Sequence, residues 1–119
     1  MKAQEEIKQV HVSPPVMRYI AELMRGTRTH PDVYLGASPR GSLALYRTGQ
    51  ARAAMYGRDH VLPDDIQALA VPVLGHRIIV APAARLREVS ADRIVQEVVE
   101  SMAVPGGDYQ ADQPKEKKA

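Results

Sequence analysis

The sequence predicts an all-α domain, a small helical bundle of four to five helices with at most a short extended segment. Two segments, residues 16–24 and 94–102, carry apolar residues at helical spacing. Serine caps and prolines mark several helix starts, and glycines or prolines separate the segments. The 119 residues include no Phe, Trp or Cys, so the core is aliphatic, and disulfides and thiol chemistry are excluded.

The first helix is expected to begin after Ser13, with proline at its first position. Gly26 is the predicted end of this helix. The apolar stripe consists of Val16, Tyr19, Ile20, Leu23 and Met24. The apolar residues 33–35 follow and should anchor the approach to Ser38. Tyr19 and Tyr34 are the tyrosines expected in the core, because apolar residues surround them.

The second helix is predicted from Pro39 to about Tyr56, with Gly57 as its stop. Its centre is rich in alanine and contains Gly49. An interior glycine costs about 1 kcal/mol relative to alanine, a cost that close packing of another helix could offset.

The third helix is expected to begin at Pro63, where Asp64 and Asp65 complement the positive end of the helix dipole. Pro72 is expected to limit or kink it. Residues 78–80 are the predicted short, buried extended piece. A final helix follows Ser90, its predicted cap, with an apolar stripe formed by Ile94, Val95, Val98, Val99 and Met102.

These elements predict one domain over residues 12–104, between a flexible N-terminal segment, 1–11, and a polar, disordered tail, 105–119. The net charge of +2 is weak support for nucleic-acid binding, because much of the basic excess lies in the tail. No apolar run reaches the roughly 18 residues of a membrane span, and the first residues are polar. The sequence therefore predicts no membrane association and a cytoplasmic location.

The segment Gly36–Gly41 is the most informative local feature. Ser38 is a helix cap, Pro39 occupies the first helical position, and Arg40 follows in the first turn. A cation there is disfavoured by about 0.3–1 kcal/mol unless an anion joins it, which points to phosphate. Ser38, Pro39 and Arg40 are thus the candidate phosphate-binding residues; the alternative is an exposed arginine that extends into water.

Other catalytic patterns are absent from the sequence. The four histidines lack the spacing of a metal site, so no metal is predicted. Asp64 and Asp65 are adjacent and point about 100° apart on a helix, which argues against an acid pair. No phosphate-binding P-loop motif occurs either. Arg40 therefore looks like one part of a site that another domain completes.

Several separated blocks resemble the C-terminal lid domain of MoxR-type AAA+ ATPases over about residues 12–104. They are Thr27-Arg28, His30-Pro31, Gly36-Ala37-Ser38-Pro39-Arg40, Gly57-Arg58-Asp59, Pro63-Asp64-Asp65-Ile66, Val73-Leu74 and His76-Arg77. In that family the block ending at Arg40 is the sensor 2 motif. The resemblance implies that Arg40 is catalytic and reaches the γ-phosphate of ATP, which is held as Mg-ATP mainly by a preceding P-loop domain.

The resemblance also implies partners and a biological role. The partners are the P-loop ATPase domain of the parent chain, ring neighbours, commonly in a hexamer, and a von Willebrand factor A domain protein. The implied role is chaperone-like assembly or maturation of protein complexes, and this chain alone would not hydrolyse ATP. One departure from the family pattern is Leu62, which precedes the third helix where a capping threonine is common.

The sequence is also compatible with a different class of function, a stand-alone helical module that binds protein or nucleic acid. Nucleic acid is the less favoured partner, because acidic residues are interspersed among the arginines and no aromatic stacking set is evident. The basic residues available for it are Arg25, Arg28, Arg40, Arg47 and the lysines of the tail.

Overall fold

A computed structural model of the chain describes residues 10–105 and confirms the predicted small helical bundle. The helices are α1 (Pro14–Thr29), α2 (Pro39–Met55), α3 (Pro63–Leu74), α4 (Pro82–Leu86) and α5 (Ala91–Ser101). Two short strands, β1 (Val33–Leu35) and β2 (Ile79–Val80), form an antiparallel sheet. None of the helices in residues 10–105 is long and apolar enough to cross a membrane.

The core lies where α3 packs between α2 and α5, and α1 packs against all three. Its largest fully buried aliphatic side chains are Leu23, Leu45, Ile66, Leu74 and Ile94. The close packing predicted at Gly49 is confirmed, because a Cβ there would lie 2.9 Å from Cδ1 of Ile66. The glycine therefore lets α2 and α3 approach closely, which offsets its poor helix propensity.

The first helix continues past Gly26, its predicted end, and closes at Thr29. A Cβ at Gly26 would lie 2.6 Å from Cγ1 of Val98 and 2.9 Å from Cε of Met102. The expectation of a stop was wrong because this glycine serves the contact between α1 and α5.

The extended part of the fold is a strand pair rather than one segment. Val33 lies opposite Val80 in the register, and Leu35 lies opposite Ile79. Tyr34 is 73% exposed, so its predicted burial was wrong, whereas Tyr19 is buried as expected. Val33 is the residue of β1 that packs against the core, whereas Tyr34 and Leu35 are both exposed.

The remaining elements follow their predicted starts, with one difference in the connector after β2. The third helix begins at Pro63 and passes through Pro72 to end at Leu74. The connector after β2 contains the short helix α4. The predicted cap of α5 is confirmed, since Oγ of Ser90 accepts a hydrogen bond of 3.1 Å from the Arg93 N–H.

The packed region begins earlier than residue 12, its predicted boundary. Val10 is buried, and the exposed His11 forms a parallel bridge with His60. The N–H of His11 donates to Asp59 O at 2.8 Å, and the N–H of Val61 donates to His11 O at 2.9 Å. The remainder of the predicted N-terminal segment and nearly all of the predicted tail lie outside the described residues.

Candidate anion site at the start of the second helix

The segment Gly36–Gly41 joins β1 to α2 and forms the capped helix start that the sequence predicts. Ser38 is the cap, with extended backbone angles of φ −82° and ψ 171°. Its Oγ accepts a hydrogen bond of 3.3 Å from the Arg40 N–H, and its carbonyl accepts one of 2.8 Å from the Gly41 N–H. With Pro39 at the first position, the segment enters α2 in a defined geometry.

The C-terminal end of α1 holds this segment from one side. The N–H of Ala37, a buried residue, donates to Oγ1 of Thr27 at 3.2 Å. Thr27 is fully buried and donates in turn to the Met24 carbonyl at 2.7 Å. A Cβ at Gly36 would lie 2.8 Å from Cα and 2.9 Å from N of Arg28, so the backbones touch there. Glycine at this position is required by that close approach.

The core supports the same segment from below. A Cβ at Gly41 would lie 3.2 Å from Cδ2 of Leu74 and 3.3 Å from Cε of Met24. Arg40 is exposed to solvent, whereas Ala37 and Gly41 on either side of it in the sequence are buried. Its guanidinium therefore extends from a base that hydrogen bonds and packing fix on two sides.

Arg40 has no acidic neighbour among residues 10–105, since no carboxylate oxygen lies within 4 Å of its guanidinium. Arg25 is paired, 2.6 Å from Glu22, whereas Arg28 and Arg47 also have no carboxylate within 4 Å among these residues. Arg40 differs from Arg28 and Arg47 because it lies in the first turn of a helix. A bound anion stabilises a cation that lies unpaired at the positive end of a helix dipole.

A cluster of two arginines lies at the other end of α2. The 17 residues of this helix place it about 25 Å from Arg40, given the rise per residue of an α-helix. Asp65 is fully buried and accepts hydrogen bonds from Arg52 Nη1 at 2.6 Å and from Arg58 at 2.7 and 2.8 Å. The guanidinium carbons of Arg52 and Arg58 also lie 4.9 and 5.6 Å from the centre of the Tyr56 ring. This cluster joins α2, the following loop and α3.

Sequence reasoning missed this role of Asp65, which it interpreted as a dipole-complementing acid. Oδ2 of Asp65 also accepts the Leu62 N–H at 2.8 Å, so it compensates in part for a cap residue without an acceptor. Burial acts to raise the pKa of Asp65, but the bonds from Arg58, the Leu62 N–H and Arg52 outweigh it and lower the pKa to about 2. The available signal was the presence of Arg58 and Asp65 in neighbouring motif blocks.

His30 has a structural role at the end of α1. Its Nδ1 accepts the Asp32 N–H at 3.0 Å, so Nε2 carries the proton and donates to Oε1 of Glu97 at 2.9 Å. This bond lowers the pKa of Glu97. The end of α1 that carries Thr27 is thus tied to α5.

The family model of the AAA lid domain matches residues 25–98 of this chain. The chain belongs to the AAA lid domain family. The lid is 43% identical to the uncharacterized protein YeaC of Bacillus subtilis over 102 residues, covering 86% of this chain and 32% of that protein. It is 32% identical over 109 residues to the protein MoxR of Paracoccus denitrificans, covering 80% and 32%.

The fold is also similar to a crystal structure of a "putative ATPase" from Cytophaga hutchinsonii. The TM-score is 0.81 at 31% sequence identity, over 84% of this lid and 33% of that chain. The resemblance to the lid domain of MoxR-type AAA+ ATPases is confirmed by these matches. The lid spans about one third of the length of these relatives.

Proposed function

We propose that this lid closes over ATP bound to a P-loop domain of its parent chain and that Arg40 contacts the γ-phosphate. The observation that carries the proposal is the exposed guanidinium in the first turn of α2, which no carboxylate of residues 10–105 pairs, on a segment fixed by α1 and the core. In this function Arg40 is the sensor 2 arginine, and Ser38 and Pro39 shape the helix start that presents it.

The electrostatics of the site fit a phosphate group. The charge-assisted bonds of a guanidinium contribute about 1.5–3 kcal/mol each, which exceeds the roughly 0.3–1 kcal/mol penalty for a cation at a helix N-terminus. The helix end itself also favours an anion. When bound, ATP supplies the phosphate that would complete this site.

Arg40 can also report the state of the nucleotide through the same contact. A bond of about 1.5–3 kcal/mol that exists only with the γ-phosphate would shift the closed-to-open ratio of the lid by about 10- to 100-fold. Loss of the γ-phosphate removes the partner of Arg40 and favours opening. Because the base under Arg40 is fixed, the lid would move as a rigid body.

The family resemblance also suggests a wider role for the parent protein. We propose that the parent protein is an ATP hydrolase of the cytoplasm that forms a ring, commonly a hexamer, and acts in chaperone-like assembly or maturation of complexes. A von Willebrand factor A domain protein is the further partner that the family resemblance predicts. The similarities to MoxR of Paracoccus denitrificans and to the "putative ATPase" of Cytophaga hutchinsonii support a MoxR-type ATPase as the parent protein. The ring, the location and the chaperone-like role rest on the family resemblance.

The test is ATP turnover by the complete parent protein with Arg40→Ala. We expect the turnover number to fall about 10- to 100-fold, because the variant loses one charge-assisted contact to phosphate. Arg18→Ala is the matched control. It also removes an exposed arginine, but on α1, and it should keep wild-type turnover. Arg40→Lys should recover part of the activity, since it keeps the charge without the planar fork.

Wild-type turnover by a folded Arg40→Ala protein would reject the role of Arg40. That result would favour an interaction module whose partner binds elsewhere on the helices. Circular dichroism of each variant establishes that a loss of turnover is not a loss of folding.

A further inference from the structure

Thr27 is a buried polar side chain that hydrogen-bonds to Gly36–Gly41, the Arg40 segment. It has no exposed surface, and its hydroxyl donates to the Met24 carbonyl at 2.7 Å within α1. The same oxygen accepts the N–H of Ala37 at 3.2 Å. One hydroxyl therefore links the last turn of α1 to the residue that precedes the Ser38 cap.

The bond to Ala37 satisfies a buried backbone donor. Ala37 is 2% exposed, and its N–H has this hydroxyl as its partner in the described part of the chain. A buried N–H without an acceptor is strongly unfavourable, so loss of the hydroxyl would drive the segment to rotate or move toward water. Ala37 lies three residues before Arg40, and such a movement would displace the guanidinium.

The frame that holds Thr27 is itself fixed. Gly26 packs against Val98 and Met102, and His30, the residue that follows α1, binds Glu97, so the chain is attached to α5 on both sides of Thr27. On the other side of the hydroxyl, nonpolar contacts hold the Arg40 segment at a fixed distance from the core. The hydrogen bond to Ala37 adds a directional constraint that packing does not supply.

We propose that Thr27 is the positioning residue for Arg40: its hydroxyl sets the orientation in which the start of α2 presents the guanidinium to the γ-phosphate. This inference rests on the proposed function of Arg40. Thr27 touches no nucleotide and acts only through Ala37 and the helix start. It therefore affects recognition of the γ-phosphate more than binding of the rest of the nucleotide.

The test compares binding of ADP and of a non-hydrolysable ATP analogue by the complete parent protein. Thr27→Val keeps the shape of the side chain but removes the hydroxyl. We expect it to reduce the preference for the ATP analogue over ADP by about fivefold, a fraction of the loss of one charge-assisted bond. Thr27→Ser keeps the hydroxyl and should stay within about twofold of wild type.

Thr48→Val is the matched control. Thr48 also donates from its hydroxyl to a carbonyl of its own helix, Ala44 O at 2.7 Å, but it accepts no hydrogen bond from the Arg40 segment. A purely structural effect of losing a helical threonine hydroxyl would appear in both variants. Only Thr27→Val should change the ratio of the two dissociation constants.

A combined variant separates failure of this inference from failure of the proposed function. Once Arg40→Ala has removed the guanidinium, adding Thr27→Val should change the ratio no further. If Arg40→Ala itself leaves the ratio unchanged, the proposed function fails. If Arg40→Ala lowers the ratio and Thr27→Val does not, the role of Thr27 alone is overturned. Thr27→Ala removes the same hydroxyl with a smaller side chain and replaces Thr27→Val if that protein does not fold.

Discussion

The two ends of α2 both carry arginines, but the surroundings of these arginines are opposite. At the start of the helix Arg40 is exposed, and no carboxylate in the described residues pairs with it. At the far end Arg52 and Arg58 share the buried carboxylate of Asp65. The comparison teaches that a paired arginine is used by the fold, whereas an unpaired one at an unfavourable position is available to a ligand.

The physical reason for the difference is the cost of burying charge. An ionised carboxylate with no exposed surface needs opposite charges and hydrogen bonds on its oxygens, and Asp65 obtains both from the two arginines and the Leu62 N–H. Arg40 meets no such demand from the core. The guanidinium of Arg40 therefore stays in solvent.

The largest expected effect comes from removing the carboxylate at the paired end. Asp65→Ala should lower the free energy of unfolding by about 3 kcal/mol, because it leaves two cations and the Leu62 N–H without their partner. Chemical denaturation of this chain measures the change. Asp64→Ala is the matched control: that neighbour is exposed, and its loss should cost at most about 1 kcal/mol of dipole stabilisation.

Equal costs for the two substitutions would show that Asp65 acts only on the helix dipole. The paired end of α2 would then have no structural function distinct from that of an ordinary helix start.

The pH dependence of stability gives an intermediate effect. The pKa of Asp65 is about 2 in the folded chain, below its ordinary value of 3.8. Its contribution is thus fully present above pH 3.8 and is lost as the pH falls toward 2. The lowering of the pKa of Asp65 corresponds to about 2 kcal/mol of the free energy of unfolding.

Denaturation curves between pH 6 and pH 2 check this expectation. Asp65→Asn does not titrate at this position, so the stability difference between wild type and variant should shrink as the pH falls through that window. A difference that stays constant with pH would contradict the assigned pKa of Asp65.

Local sequence signals predicted much of the fold because they report local interactions. Serine caps and prolines set the starts of α2, α3 and α5, and helical periodicity identified the buried faces of α1 and α5. Gly26 was interpreted wrongly because its packing partners, Val98 and Met102, lie far away in the sequence. Composition alone does not reveal such a contact.

The same distinction applies to the candidate site. The position of Arg40 at a capped helix start could be predicted from its immediate neighbours. The support from Thr27 could not, since it depends on a hydrogen bond across ten residues and on the β1 strand between them. The ion pairs of Asp65 likewise depend on the relative placement of α2 and α3, so helix-start chemistry revealed only part of its role.

The smallest expected effect is the stability change at the unpaired end, and its sign decides the comparison. Arg40→Ala removes a cation from the first turn of α2, where the dipole disfavours it, so this chain alone should become more stable by about 0.3–1 kcal/mol at low salt. Added salt should reduce the gain, because the side chain is exposed and its interaction with the dipole is screened. Denaturation of Arg40→Ala beside Arg47→Ala, an exposed arginine two turns further along the same helix, measures it. A loss of more than about 1 kcal/mol would mean that Arg40 supports the fold as Arg58 does. A gain would mean that the lid keeps a residue that its own folding disfavours, which is the pattern expected of a group retained for a ligand.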